Sequence, residues 1–179
     1  MSLKSTSARY GAVALGLHWA CAALILTMIP LGFMMQSATE GLRVGLYRTH
    51  ILVGMLIGLL TMARLVWWIA VDRQPEPIGV ATMQHRLAQG VHIAFYILIA
   101  LLTISGIRMT VASGLGIMLV TGDTMLFPVR LDILPPRVAH GVMVRILIAL
   151  LAAHIMGALY HHYMRRDGTL DRMLPRLDR

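Results

Sequence analysis

The sequence points to an all-α integral membrane protein, an up-and-down four-helix bundle, and three observations lead there. Of the 179 residues, 58% are hydrophobic and only 13% charged, and the mean hydropathy is +0.73. Soluble domains carry about 25% charged residues, and disordered chains pair low hydrophobicity with high net charge, so neither class accommodates this chain. Four stretches are apolar over the roughly 20 residues that a helix needs to cross a hydrocarbon core about 30 Å thick. All eight acidic residues fall outside those stretches.

The first span, 11–35, contains no charged residue. Its apolar run is about twice as long as a signal-peptide core and already contains His18, so it is expected to remain as a helix. The second span, 49–71, is interrupted only by Arg64, and Gln74-Pro75-Glu76-Pro77 is a stiff turn that cannot prolong it. A third span covers 87–110 and is free of charge as far as Ile107. The fourth, 138–164, follows Pro135-Pro136 and is interrupted only by Arg145. Between the last two, residues 110–137 mix glycines with short apolar groups and read as a partly ordered loop lying at the membrane surface. The other linkers are short, as an up-and-down bundle prefers. The whole chain, 1–179, therefore reads as one transmembrane domain.

A net charge of +8 and an isoelectric point near 10.8 do not signify nucleic acid. The basic residues lie between apolar runs rather than on one polar face, the arrangement that orients a membrane protein. Lys4, Arg9, Arg73, Arg86, Arg165, Arg166, Arg172, Arg176 and Arg179 would share one side; Arg43, Arg48, Arg130 and Arg137 would share the other. The richer side is expected to be cytoplasmic, with both termini on it. Cys21 is the only cysteine, so no disulfide can form within the chain, and the absence of C-x-x-C-H rules out covalently attached c-type haem.

Five of the eight histidines (His18, His50, His92, His140 and His154) fall inside the spans. An ionisable group in a bilayer is costly and usually faces a bundle interior where it binds something or relays protons, although a single one can be a polar contact between helices. Spacing favours binding here. His140 and His154 are 14 residues apart, about 40° short of four full turns, so they share a helix face at two depths about 21 Å apart. His50 and His140 lie just inside the starts of their spans, at matching height. His154 matches either His18 or His92 near the opposite surface.

Two facing imidazoles at one level can supply both axial ligands of a haem iron, so two levels predict two haem b groups. A zinc or di-iron carboxylate centre is a poor alternative, because the spans contain no Asp or Glu. Gly54, Gly141 and Gly157 lie close to the histidines and could admit a porphyrin, while Gly54 and Gly58 also form a helix-packing G-x-x-x-G pair. Arg64, 14 residues after His50, should point inward as a propionate or quinone contact, or else snorkel. His161, with His162 and Tyr163, is a candidate protonatable entrance for a quinone; a solvated interfacial cluster is the plain alternative. Arg108 is a candidate propionate contact or an interface anchor. Arg145 is rotated by about 140° from the His140 face and has no role in this scheme.

These residues resemble the bacterial cytochrome b561 family over nearly the whole chain. The likeness rests on His18-Trp19, on His50 with Gly54 and Arg64, on His92 with Tyr96, and on the 14-residue gap from His140 to His154. The tail Tyr160-His161-His162-Tyr163, followed by Asp167 and Met173-Leu174-Pro175, is the most distinctive match. The resemblance implies a multi-pass protein of the bacterial inner membrane. It pairs His18 with His154 and His50 with His140, which leaves His92 as a non-ligand at a possible propionate or quinone contact. It further implies superoxide oxidase-like activity. Superoxide, drawn by Arg43, Arg48, Arg130 and Arg137, would be the donor and ubiquinone, bound near Arg64, His92 or His161, the acceptor. The competing expectation is a cytochrome b anchor that passes electrons between quinol and a separate dehydrogenase, reductase or periplasmic redox partner. No catalytic side chain is assigned, and membrane lipid is the remaining partner. A transporter or structural membrane protein using its histidines for protons would bind no haem at all.

Overall fold

In the computed structural model, which describes residues 2–76, 78, 83–122 and 134–174, four helices are long and apolar enough to cross a membrane. They are α1 (Ala12–Met34), α2 (Glu40–Val66), α3 (Met83–Ala112) and α5 (Pro135–Leu159), with a short α4 (Leu115–Thr121) between the last two. A π-helical turn, Trp67–Val71, extends α2, and another, Tyr160–Arg165, extends α5 ahead of a 3-10 turn at Leu170–Met173. No strand occurs among the described residues, in keeping with the all-α helical bundle expected from the sequence. Large apolar side chains such as Phe33, Leu59, Ile69, Ile97 and Val111 are exposed along the spans, as contact with lipid tails requires.

The chain divides into two compact units, and each long helix contributes to both. One comprises Met1–Cys21, Leu60–Ile97 and Leu147–Arg179. Here the N-terminal segment is tied to the end of α2 by Asp72, which is 9% exposed. Its carboxylate accepts the Ser5 N–H (3.0 and 3.1 Å), the Ser5 hydroxyl (2.8 Å), the Trp67 indole N–H (3.1 Å) and the Arg73 N–H (2.9 Å). Gly11 sits so close to Lys4 that any Cβ would run into the Lys4 carbonyl, which accounts for glycine there. The tail closes over the same end: Arg9 donates to the Asp171 carbonyl (2.6 Å), Trp19 to that of Met173 (2.7 Å) and Arg172 to that of Glu76 (2.7 Å).

The other unit comprises Ala22–Leu59 and Leu98–Ile146. Its core is α4, whose Leu115 and Met118 are fully buried against Val44, Tyr47, Met109, Leu119 and Leu134. Gly114 (φ +73°) and Gly122 (φ +77°) bracket α4 with left-handed backbone that a side chain would strain. This packing explains why α2 begins at Glu40, nine residues before the apolar run expected to start at 49. Val44 and Tyr47 present one helical face to α4, and Arg48 donates to the Leu119 carbonyl. The connection read as a surface loop thus contains a packed helix. Asp123, Arg130 and Asp132 lie outside the described residues, as do Pro77, Pro175, Arg176, Asp178 and Arg179. Helix α5 starts on Pro135-Pro136, where the first turn has no use for their missing N–H groups.

Candidate haem sites

Each unit holds one cluster of histidines, half-buried apart from His92, which is exposed. In the Ala22–Leu59/Leu98–Ile146 unit, His50 of α2 and His140 of α5 face each other with ring centroids 6.2 Å apart and planes at 62°. Their rings are admitted by small residues: a methyl group built on Gly32 would lie 3.6 Å from His50 Cε1, and one on Gly106 3.9 Å from His140 Cε1. Nδ1 of His140 is 2.9 Å from the hydroxyl of Ser105, which is 7% exposed. Arg137 is within electrostatic range of both rings.

In the other unit, His18 of α1 and His154 of α5 have centroids 6.4 Å apart with planes at 64°. His92 of α3 approaches His154 more closely, at 5.6 Å, and Phe95 stands edge-on to His154 at 5.4 Å. Arg64 is in the same cluster, within electrostatic range of His18, His92 and His154, with its Cζ 6.0 Å from the Tyr96 ring centre. Its Nε is buried without a hydrogen-bond partner, and so are Nδ1 of His18 and of His50.

These distances suit a group inserted between two rings. A metal–imidazole bond of about 2.0–2.1 Å, plus about 1.1 Å from nitrogen to ring centre, places two axial imidazoles about 6.3 Å apart centre to centre. Separations of 6.2 and 6.4 Å match. The orphaned polar atoms agree, since buried polar groups without partners are rare and mark places where something else binds. Among the described residues no group of three or more His, Cys, Asp or Glu side chains is arranged to hold a metal ion on its own. Two facing pairs, His50 with His140 and His18 with His154, are what the described residues bring together.

Other expectations sort differently. His161 is half-buried and turned to the tail, with Nδ1 2.6 Å from Asp167 Oδ2, and Asp167 also accepts the Thr169 N–H (3.0 Å) and hydroxyl (2.6 Å). Burial would raise the Asp167 pKa, but the bonds from Thr169 and His161 outweigh it and hold the group at about 2. His162 is 3.7 Å from Asp171 and stacks edge-on with Tyr163. Gly58 serves helix packing: a Cβ there would meet Thr103 at 2.8 Å. Gly157 has open space beside it, whereas Gly141 is covered by Arg137 and Arg145, whose Nη1 atoms lie 3.3 and 3.9 Å from a built Cβ. Arg145 folds back to donate to the Gly141 carbonyl at 3.3 Å, which is where that side chain goes. Arg108 is exposed, with no partner among the described residues.

Ser105, Gly32 and Gly106 were not singled out by sequence. A hydroxyl amid the apolar run of the third span was the available signal for Ser105; the two glycines carry none without the neighbouring helix.

Residues 9–176 match the family model described as prokaryotic cytochrome b561. Cytochrome b561 homolog 2 of Escherichia coli (strain K12) is 27% identical over 182 residues, covering 97% of this chain and 95% of that protein. Cytochrome b561 homolog 1 of the same organism is 30% identical over 133 residues, covering 72% and 74% respectively.

Proposed function

The chain belongs to the prokaryotic cytochrome b561 family, and from that premise we propose that it is a di-haem superoxide:ubiquinone oxidoreductase. Membership makes it a bacterial membrane electron-transfer protein that binds haem b. The observation that carries the reading further is the pair of histidine couples at 6.2 and 6.4 Å. In this reading His50 with His140 and His18 with His154 are the axial ligands, and the whole chain, 1–179, is one functional domain. His92 is not a ligand, because its 5.6 Å approach to His154 is about 0.7 Å too short for a shared metal. Both termini face the cytoplasm by the distribution of basic residues, which puts the His50–His140 site near the periplasm.

Haem b, when bound, supplies an iron that accepts and releases one electron at a time. The chain's residues do the rest. Arg43, Arg48 and Arg137 supply positive charge that concentrates an anionic donor at the periplasmic side. Two superoxide anions give up two electrons and leave as dioxygen; ubiquinone takes those electrons and two protons to become ubiquinol. In this reading Arg64 and His92, beside the His18–His154 pair, contact the quinone. The His161–Asp167 couple can hold a proton close to the cytoplasmic surface.

The test is anaerobic addition of superoxide to fully oxidised, haem-loaded protein. Reduction of the haems and of added ubiquinone is expected. If neither is reduced, the enzyme reading fails, and an electron-transfer subunit serving a separate redox partner takes its place.

A further inference from the structure

Arg145 has no part in either histidine pair, and its setting is unusual. It lies about 15 Å along α5 from Pro135, exposed on a helix face that also carries the exposed side chains Val138, Val142 and Ile146. A guanidinium facing lipid at that depth is costly unless it reaches back to the headgroup layer and meets an anion there. The side chain does turn back toward the Pro135 end, where its Nη1 donates to the Gly141 carbonyl at 3.3 Å. Arg137 comes to the same spot. A Cβ on Gly141 would lie 3.3 Å from Arg137 Nη1 and 3.9 Å from Arg145 Nη1, so both guanidinium groups close over one glycine. Together with Val138 and Val142 these residues line a groove on α5. Among the described residues no carboxylate pairs with either arginine. Two positive charges brought together in this way repel, and an anion between them turns the repulsion into binding.

We propose that the groove binds an anionic phospholipid, its headgroup phosphate held between Arg137 and Arg145 over Gly141 and an acyl chain running along Val142 and Ile146. Three features select a lipid over a small free anion. Guanidinium groups present their N–H donors in a fork that fits phosphate oxygens. The groove walls are valines, which offer a hydrated ion nothing but suit the glycerol and acyl part of a lipid. The face that continues from the groove is exposed and apolar, and lipid is what surrounds such a face in a membrane. Gly141 is required because any side chain there would occupy the space beneath the phosphate, its first carbon already 3.3 Å from Arg137. Arg137 and Arg145 lie about 60° and 140° round the helix from His140. The groove therefore turns away from the histidine pair, and the inference does not depend on which histidines are haem ligands.

The experiment is native mass spectrometry of the full-length, haem-loaded protein, stripped of lipid in detergent and titrated with dioleoylphosphatidylglycerol or dioleoylphosphatidylcholine. Wild type should bind one phosphatidylglycerol about tenfold more tightly than phosphatidylcholine. Arg145→Gln and Arg137→Gln should each lose that preference, and either variant decides the matter if the other fails to assemble. Arg108→Gln, which removes a lone exposed arginine from α3, should keep it. Haem content should be unchanged in Arg145→Gln. The proposal is overturned if the two lipids bind wild type alike, or if Arg108→Gln loses as much preference as Arg145→Gln, which would make the effect one of general surface charge. It is overturned too if glycerol 3-phosphate, which has the phosphate without the chains, displaces the lipid at equal concentration, since the site would then serve a free anion. Loss of haem from Arg145→Gln would assign the arginine pair to a haem propionate instead.

Discussion

His154 has two neighbours that could share a metal with it, and replacing each in turn distinguishes them. His18 stands 6.4 Å from His154 between ring centres and His92 stands 5.6 Å away. With bonds of about 2.0–2.1 Å and about 1.1 Å to each ring centre, the separation needed is about 6.3 Å. The His18 ring already meets it. The His92 ring would have to retreat by about 0.7 Å, which would displace α3 or twist the side chain from its rotamer. His18→Ala is therefore expected to halve the haem per chain and the reduced-minus-oxidised α-band amplitude. His154→Ala should do the same, and His92→Ala should leave two haems with six-coordinate, low-spin spectra. The assay is haem quantification as the pyridine adduct against protein, with low-temperature spectra to resolve the two bands. Retention of both haems in His18→Ala together with loss of one in His92→Ala would refute the distance argument.

Other perturbations test the frame around the sites. Gly58→Ala puts a methyl 2.8 Å from Thr103 Cγ2 and Oγ1, and Thr103 is not free to turn because its hydroxyl bonds the Ile99 carbonyl; a loss of about 1–3 kcal/mol in thermal or denaturant unfolding is expected, largely recovered in the double variant with Thr103→Ala. Asp72→Ala leaves the Ser5 and Trp67 donors without their acceptor, and should cost about 1–3 kcal/mol and open residues 2–11 to limited proteolysis. The Asp167 pKa is held at about 2, against 3.8 for an unperturbed group, so its stabilisation is complete above pH 4 and is lost as pH falls from there through 2. With the carboxylate 20% exposed and partly screened, the contribution is about 1–2 kcal/mol. Acid-induced release of the tail, followed by proteolysis after Arg165 and Arg166, should show that transition in wild type, and Asp167→Asn should behave like the acid form already at neutral pH.

Legibility in the sequence followed the physics of each feature. Hydrophobic length located all four spans, because lipid imposes the same requirement on every crossing helix. It misjudged where α2 begins, since Glu40–Arg48 is held as helix by packing against α4 rather than by lipid. Histidine periodicity put His50 level with His140 and His154 with His18 and His92, the same rings that lie near one another in the structure, because a continuous helix converts residue number into angle and height. It could not rank His18 against His92, as that depends on tenths of an ångström between separate helices. Nor could it find Ser105, whose role comes from lying beside a histidine 35 positions along the chain. Asp167 stood in the tail motif, but its hold on His161 depends on a reversal of the chain through left-handed Arg166 and Gly168.

Helix α5 supplies one histidine to each pair, and each pair has an arginine within electrostatic range, Arg137 at His50 and His140 and Arg64 at His18 and His154. His140 also meets the Ser105 hydroxyl at 2.9 Å. His154 shares its cluster with Arg64, a half-buried side chain whose Nε is buried without a hydrogen-bond partner. A buried polar atom without a partner is costly, and apart from Glu40 at the start of α2 no acidic residue lies in the described spans. The natural complement of Arg64 is an anionic or polarisable group brought in from outside the chain, such as a haem propionate or a quinone carbonyl.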